Sequence, residues 1–183
     1  MAIPRNESRH VDQIPLTRAV PIWAGVGFRG CAVIALHQRK ELTSVEWARL
    51  VDQGKLVDAC KNLHPHRVRG PWHILCDNET FLDAPPSIVA HGRAWVELWH
   101  IPAKSPDLNP AEKFWSWLRR RLRAMDLADL SARHAPVQRC TLKTRVRNLL
   151  QTQPAKRVVG KCASGLRRVC REVVRLHGAA TRG

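Results

Sequence analysis

Ser105-Pro-Asp-Leu-Asn-Pro-Ala-Glu-Lys-Phe-Trp115 decides how this chain is read. Pro102, Pro106 and Pro110 rule out a regular strand across its first half, so residues 102–110 form a loop. Proline is tolerated in the first turn of a helix, and Phe114, Trp115, Leu118 and Leu122 recur at helical spacing. That pattern predicts a helix over Ala111–Leu122, with Glu112 in its opening turn. Upstream, Trp72-His-Ile-Leu-Cys76 is a short apolar run bounded by Gly70-Pro71 and Asp77-Asn78, which predicts a central strand ending in an acid. Thirty-four residues lie between Asp77 and Glu112. A carboxylate at a strand end and one on a following helix can converge on a divalent cation. Magnesium takes oxygen ligands and suits a few acids on separate elements with water completing its shell. With 15 acids in the chain the spacing alone says little, because acids also cap helices. The words around the pair carry the information.

Working outward, Pro21–Phe28 and Cys31–His37 read as two strands joined at Arg29-Gly30, a hairpin. Thr43-Ser44 offers a helix N-cap with Glu46 in the first turn. Trp47, Leu50, Val51, Leu56, Val57 and Cys60 then follow at helical spacing, interrupted by Gly54. His64–Pro71 is a basic loop. A short helix starts near Pro85-Pro86 and ends near His91-Gly92, and Trp95–Ile101 alternates as a further strand. Beyond the central helix the chain is helical in character over Leu142–Leu150 and Gly165–Leu176, punctuated by Pro136 and Pro154. The order of elements predicts a mixed α/β sheet with helices packed on it. It divides into a catalytic-type domain over 1–126 and a basic helical extension over 127–183. There are no internal repeats.

Charge is the second signal. The chain of 183 residues carries a net +16, and it is placed unevenly. Residues 1–112 hold 13 Lys/Arg against 12 Asp/Glu, whereas residues 113–183 hold 18 against 3. A one-sided basic block points to a polyanionic partner; the bland alternative is a solubilising face. Arg119, Arg120, Arg121, Arg123, Arg145, Arg147, Arg167, Arg168, Arg171 and Arg175 outnumber the lysines there, and guanidinium suits bidentate phosphate contact. Such contacts bind without reading bases. No stretch approaches the ~20 apolar residues of a membrane span, and the first residues lack a signal-peptide core, so an intracellular protein with no membrane partner is expected. The six cysteines include no CxxC pair and read as reduced thiols rather than a disulfide or zinc framework. His37, His73, His91 and His100 lack metal-ligand spacing and read as packing or surface residues. Trp115 reads as core and Trp117 as partly exposed, with base stacking as its alternative role.

Cys76-Asp77-Asn78 followed by Ser105–Trp115 closely resembles the catalytic domain of mariner-type transposases, within the DDE superfamily of endonucleases. The resemblance rests on Trp72 to about Leu122. It implies a ribonuclease H-like fold: a mixed sheet of about five strands flanked by helices. It also implies that Asp77 and Glu112 are the second and third catalytic acids and hold Mg²⁺ or Mn²⁺, and that Pro106, Asn109 and Pro110 shape the loop presenting Glu112. Asp107 is then a cap or turn residue. Asn78 either orients a ligand or bonds a turn.

The implied activity is metal-dependent DNA cleavage and strand transfer, as in transposition and integration. Transposon ends and target DNA would be the partners, the nucleus the location if the source is eukaryotic, and a homodimer a compatible assembly. Departures qualify the activity. The family's first acid lies on an opening strand, and the equivalent stretch here, Arg5-Asn6-Glu7-Ser8, has Asn6 at that place. Glu7 and Asp12 are nearby acids out of register. A histidine often found just after the Asp-Asn pair is replaced by Thr80, Phe81 and Leu82. The family's helix-turn-helix domains precede the catalytic domain, and a truncated or degraded copy is the expectation. The competing reading is a catalytically inactive, transposon-derived nucleic-acid-binding protein. An unrelated basic α/β domain is the remaining alternative.

Overall fold

The computed structural model describes residues 20–36, 42–134 and 138–178. Asn6, Glu7, Asp12 and His37 lie outside them. The described chain is mixed α/β, with strands β1 (Ile22–Gly27), β2 (Gly30–Leu36), β3 (Trp72–Cys76) and β4 (Val96–His100). Helices are α1 (Ser44–Asp52), α2 (Lys55–Leu63), α3 (Pro85–Ala94), α4 (Pro110–Ser131), α5 (Arg139–Gln151) and α6 (Gln153–Arg175), with a 3-10 turn at Pro106–Leu108. No helix among the described residues is long and apolar enough to cross a membrane.

The expected single sheet of about five strands is not what the described residues form. β1 and β2 pair antiparallel as the predicted hairpin, and β3 and β4 pair parallel, giving two sheets of two strands each. β3, read as central, is paired on one edge among the described residues.

Alternation along the hairpin explains how one small sheet serves two cores. Trp23 and Ile34 face a cluster built on Trp47, Val51, Leu56, Trp72, Ala90 and Val96. Ile22, Val26, Cys31 and Val33 face the opposite cluster of Phe114, Leu118, Val146, Leu150 and Val159. Successive side chains of a strand point to opposite faces, so the hairpin is sandwiched between α1–α3 and α4–α6. Gly25 and Gly27 fall on the α2 side, where a Cβ at either position would stand 3.4 Å from the Leu63 side chain. Cys31, pressed into the second cluster, has its thiol pushed by burial up to about 12, which keeps it protonated and inert.

Thr43 caps α1 as expected. Its Oγ1 accepts from the Glu46 N–H at 3.2 Å and Glu46 Oε2 accepts from the Thr43 N–H at 3.1 Å, a reciprocal capping box. The single interrupted helix becomes two, because Gly54 adopts φ +78°, a left-handed conformation that ends α1 and starts α2. Two helices are longer than predicted. α4 runs nine residues past Leu122, through the 126–127 division, as its continuation with Ala, Met and Leu has good helix propensity. α6 starts twelve residues before Gly165: Pro154 sits in its first turn, and Thr152 accepts from the Ala155 N–H at 3.3 Å as N-cap.

His91 is buried on α3 and accepts, through Nε2, a hydrogen bond from the Trp47 indole N–H at 2.8 Å. That bond requires an unprotonated Nε2. Burial lowers the pKa of His91 below 6.5, with Asp83 opposing the shift weakly. A group whose folded pKa is depressed stabilises the fold above its unfolded pKa and loses that contribution as pH falls through the folded value. Thermal melting should therefore weaken as pH drops below about 6.5, and His91→Gln should flatten that part of the profile. An identical acid limb in wild type and variant would remove His91 as its source.

Candidate active site

Asp77 emerges exposed at the C-terminal end of β3, and its placement is fixed by its neighbours. Its Oδ1 accepts from the Asn78 N–H at 2.9 Å, and its carbonyl accepts from Glu79 N–H at 2.9 Å, so the chain turns immediately after the acid. The Asn78 amide reaches across to the end of the parallel strand and donates to the Ile101 carbonyl at 2.8 Å. The Ile101 N–H in turn donates to the Cys76 carbonyl at 2.9 Å. These two bonds staple the ends of β3 and β4 together under Asp77. Of the two roles open to Asn78, the observed one is structural, and its partner is 23 residues away rather than in its own turn.

Glu112 lies half-buried in the first turn of α4. The loop before it works as the sequence predicted. Pro106 opens the 3-10 turn, Asp107 sits within it, and Asn109 N-caps α4 by accepting from the Ala111 N–H at 3.0 Å. Pro110 occupies the first turn, where it forfeits no helical hydrogen bond. Behind Glu112, Phe114 and Leu118 anchor the helix in the second core. Trp117 stacks on Phe114 at 5.8 Å between ring centroids and Trp115 meets it at 5.3 Å, so both tryptophans are half-buried packing residues.

Two residues near Asp77 were given no site role by sequence reasoning: Asp83 was not named, and His100 was read as a packing or surface residue. His100, at the end of β4, places Nε2 3.0 Å from Asp83 Oδ1 and Nδ1 3.7 Å from Cys76 Sγ. The Cys76 thiol is pushed up to about 11, chiefly by burial and then by the charges of Asp83 and Asp77. Both acids are thus close enough to be felt at the same sulfur, and β3 ends in a negative neighbourhood with His100 beside it. Parallel pairing of β3 with β4 brings this about, and no local sequence signal encodes it. His73, by contrast, is a surface residue paired with Glu97 at 3.0 Å.

Oxygen donors of the kind held by Asp77 and Glu112 match a hard cation, and magnesium commonly takes one or two protein carboxylates with water in its remaining positions. The two acids fit such an ion in kind. Among the described residues no group of three or more His, Cys, Asp or Glu side chains converges on one point, so a third protein ligand is not supplied by them.

A family model described as DDE superfamily endonuclease matches residues 29–132, which is more than half of the chain and includes both Asp77 and Glu112. No curated protein and no solved structure matches. The acid at the end of β3, the capped acid opening α4 and this match together place the chain in the DDE superfamily endonuclease family.

Proposed function

We propose that this protein is a transposase-related DNA nuclease domain of mariner type, acting in strand cleavage and strand transfer, with Asp77 and Glu112 as its metal-holding acids. The observation that carries the reading is the family match over residues 29–132 with both acids at element ends, each fixed by its own backbone contacts. A ribonuclease H-like sheet is part of the proposal. It would require a strand joining the two pairs, and Arg5–Ser8 is the equivalent stretch in the sequence.

The chain's own groups have distinct tasks. Asn78 locks the floor on which Asp77 stands, and Asn109 with Pro110 sets the direction from which Glu112 enters. A bound divalent cation supplies a nucleophilic oxygen at neutral pH and stabilisation for the leaving oxygen. Asp77 and Glu112 would hold it, and the cationic helices α4–α6 neutralise the DNA backbone around the acids. The test is nicking of supercoiled plasmid with Mg²⁺ or Mn²⁺, with Asp77→Ala and Glu112→Ala expected to lower the rate by at least about a hundredfold. Metal-dependent nicking that survives both substitutions would remove the two acids from the site.

One observation favours a second reading, a nucleic-acid-binding protein that has lost the chemistry. It rests on the resemblance, which sets Asn6 where the family's first acid would lie. Under that reading salt-sensitive DNA binding persists while the plasmid stays intact with either metal.

A further inference from the structure

We propose that the cleft between the first turn of α4 and the middle of α6 seats a phosphate of duplex DNA. This inference rests on the DNA-directed reading above and assigns one subsite within it. The cleft has a volume of about 170 Å³, and Lys113, Lys161 and Arg168 line it together with Asp107, Cys162 and Gly165. Three cations against one acid leave the lining at net +2.

The three cations are exposed, and none is in an ion pair among the described residues. Other arginines are already engaged: Arg93 with Asp52 at 2.7 Å, Arg145 with Asp129 at 2.6 Å and Arg175 with Glu172. Lys161 and Arg168 are seven residues apart on α6, two turns along one face, so their side chains flank the same depression. Gly165 lies between them, and a Cβ there would meet no atom within 4 Å, which leaves the floor open.

Lys113 enters from the other wall, one residue after Glu112. Its charge is felt in the cleft, since it opposes the burial that raises the Cys162 thiol. The positive end of the 22-residue α4 helix adds to the attraction for an anion. α6 lies outside the residues matched by the family model, so six of the nine residues lining this cleft belong to a part of the chain that the family match leaves unassigned.

Glu112 is not among the residues lining the cleft, but its neighbour Lys113 is, so a phosphate held here would anchor the duplex one residue along α4 from the candidate catalytic acid. Such contacts position DNA without reading its bases. The experiment is fluorescence anisotropy of a labelled short duplex with the full chain over a salt series. Lys161→Gln combined with Arg168→Gln is expected to weaken binding by about tenfold or more and to flatten the slope of log K against log salt by about 0.9, one phosphate contact's worth.

The control is Arg167→Gln with Arg171→Gln, the same charge change on an adjacent face of α6, expected to produce the smaller loss. Gly165→Asp, which fills the floor without a clash, should reproduce the cleft phenotype. Equal losses from both pairs, or unchanged binding in the Gly165 variant, would overturn the cleft assignment while leaving DNA binding intact. Absence of wild-type binding at low salt would overturn the DNA-directed reading, and the cleft with it.

Discussion

Phe114→Ala is expected to destabilise the protein by about 3–5 kcal/mol, the range for removing a fully buried phenylalanine from a close-packed core. Phe114 is 0% exposed and lies at the centre of the cluster with Leu118, Val146, Leu150 and Val159. It is also the platform on which Trp117 stacks and against which Trp115 tilts. Within α4, which is 22 residues long, Phe114 and Leu118 are the two buried side chains. The second half of the helix exposes Leu127 and Leu130 and adds no buried anchor.

Docking of α4 onto the hairpin and α6 therefore depends on its first turns. A domain stable by about 5–15 kcal/mol would lose a large fraction of its margin with this one side chain. Urea unfolding should show a lower midpoint with an unchanged m-value, and Phe114→Leu, which keeps most of the volume, should cost about 1.5 kcal/mol or less. A loss below about 1 kcal/mol for the alanine variant would mean that the second cluster relaxes around the void. Because Glu112 sits two residues upstream, the same substitution should also loosen the candidate site, whereas Leu127→Ala on the exposed half should affect neither property.

What the sequence revealed and what it hid follow one division, that between local and distant causes. The cap of Thr43 with Glu46, the hairpin and the apolar face of α4 were legible because each is written within a few neighbouring residues. The long α6 was not, since a proline reads equally as a breaker or as a first-turn residue, and its cap at Thr152 decides between them only in three dimensions. The Asn78–Ile101 staple spans 23 residues and the Trp47–His91 bond spans 44. Neither has a periodic signature.

Sheet assembly was the least legible of all. Alternation shows that a segment is a strand but not which strand lies beside it, and register pairing is a property of the whole fold. For the candidate site, Asp77, Glu112 and the loop before α4 were read from their flanking residues. Asp83 was missed, and His100 was read only as a packing or surface residue, because the strand pairing, not the spacing, brings them to Asp77's side.

Asn6→Asp should raise metal-dependent nicking by about a hundredfold or more, because a direct carboxylate ligand contributes more than the outer-shell partners whose loss already costs ~10–100-fold. A divalent cation held by two carboxylates keeps most of its shell as water, and a third carboxylate narrows the positions it can occupy. An asparagine amide offers a neutral carbonyl oxygen at best, and it cannot balance charge as Asp would. Asp77 and Glu112 offer two acids on separate, well-fixed elements, so under the proposed reading the substitution would add a third ligand, which the described residues do not supply.

A readout independent of cleavage exists. Binding of Mn²⁺ to the folded chain raises its melting temperature in proportion to RT ln(1 + [metal]/Kd), so the Asp variant should show a larger metal-induced shift than wild type. The double variant Asn6→Asp with Asp77→Ala should show neither gain, because the new ligand has lost its partner. Suppose the single variant changes nothing while Asp77→Ala abolishes wild-type nicking. Position 6 would then lie outside the metal shell, and Glu7→Gln and Asp12→Asn would become the substitutions that locate the third acid. A gain in metal-induced melting shift without cleavage would instead place residue 6 at the metal and assign the lost chemistry to another part of the chain.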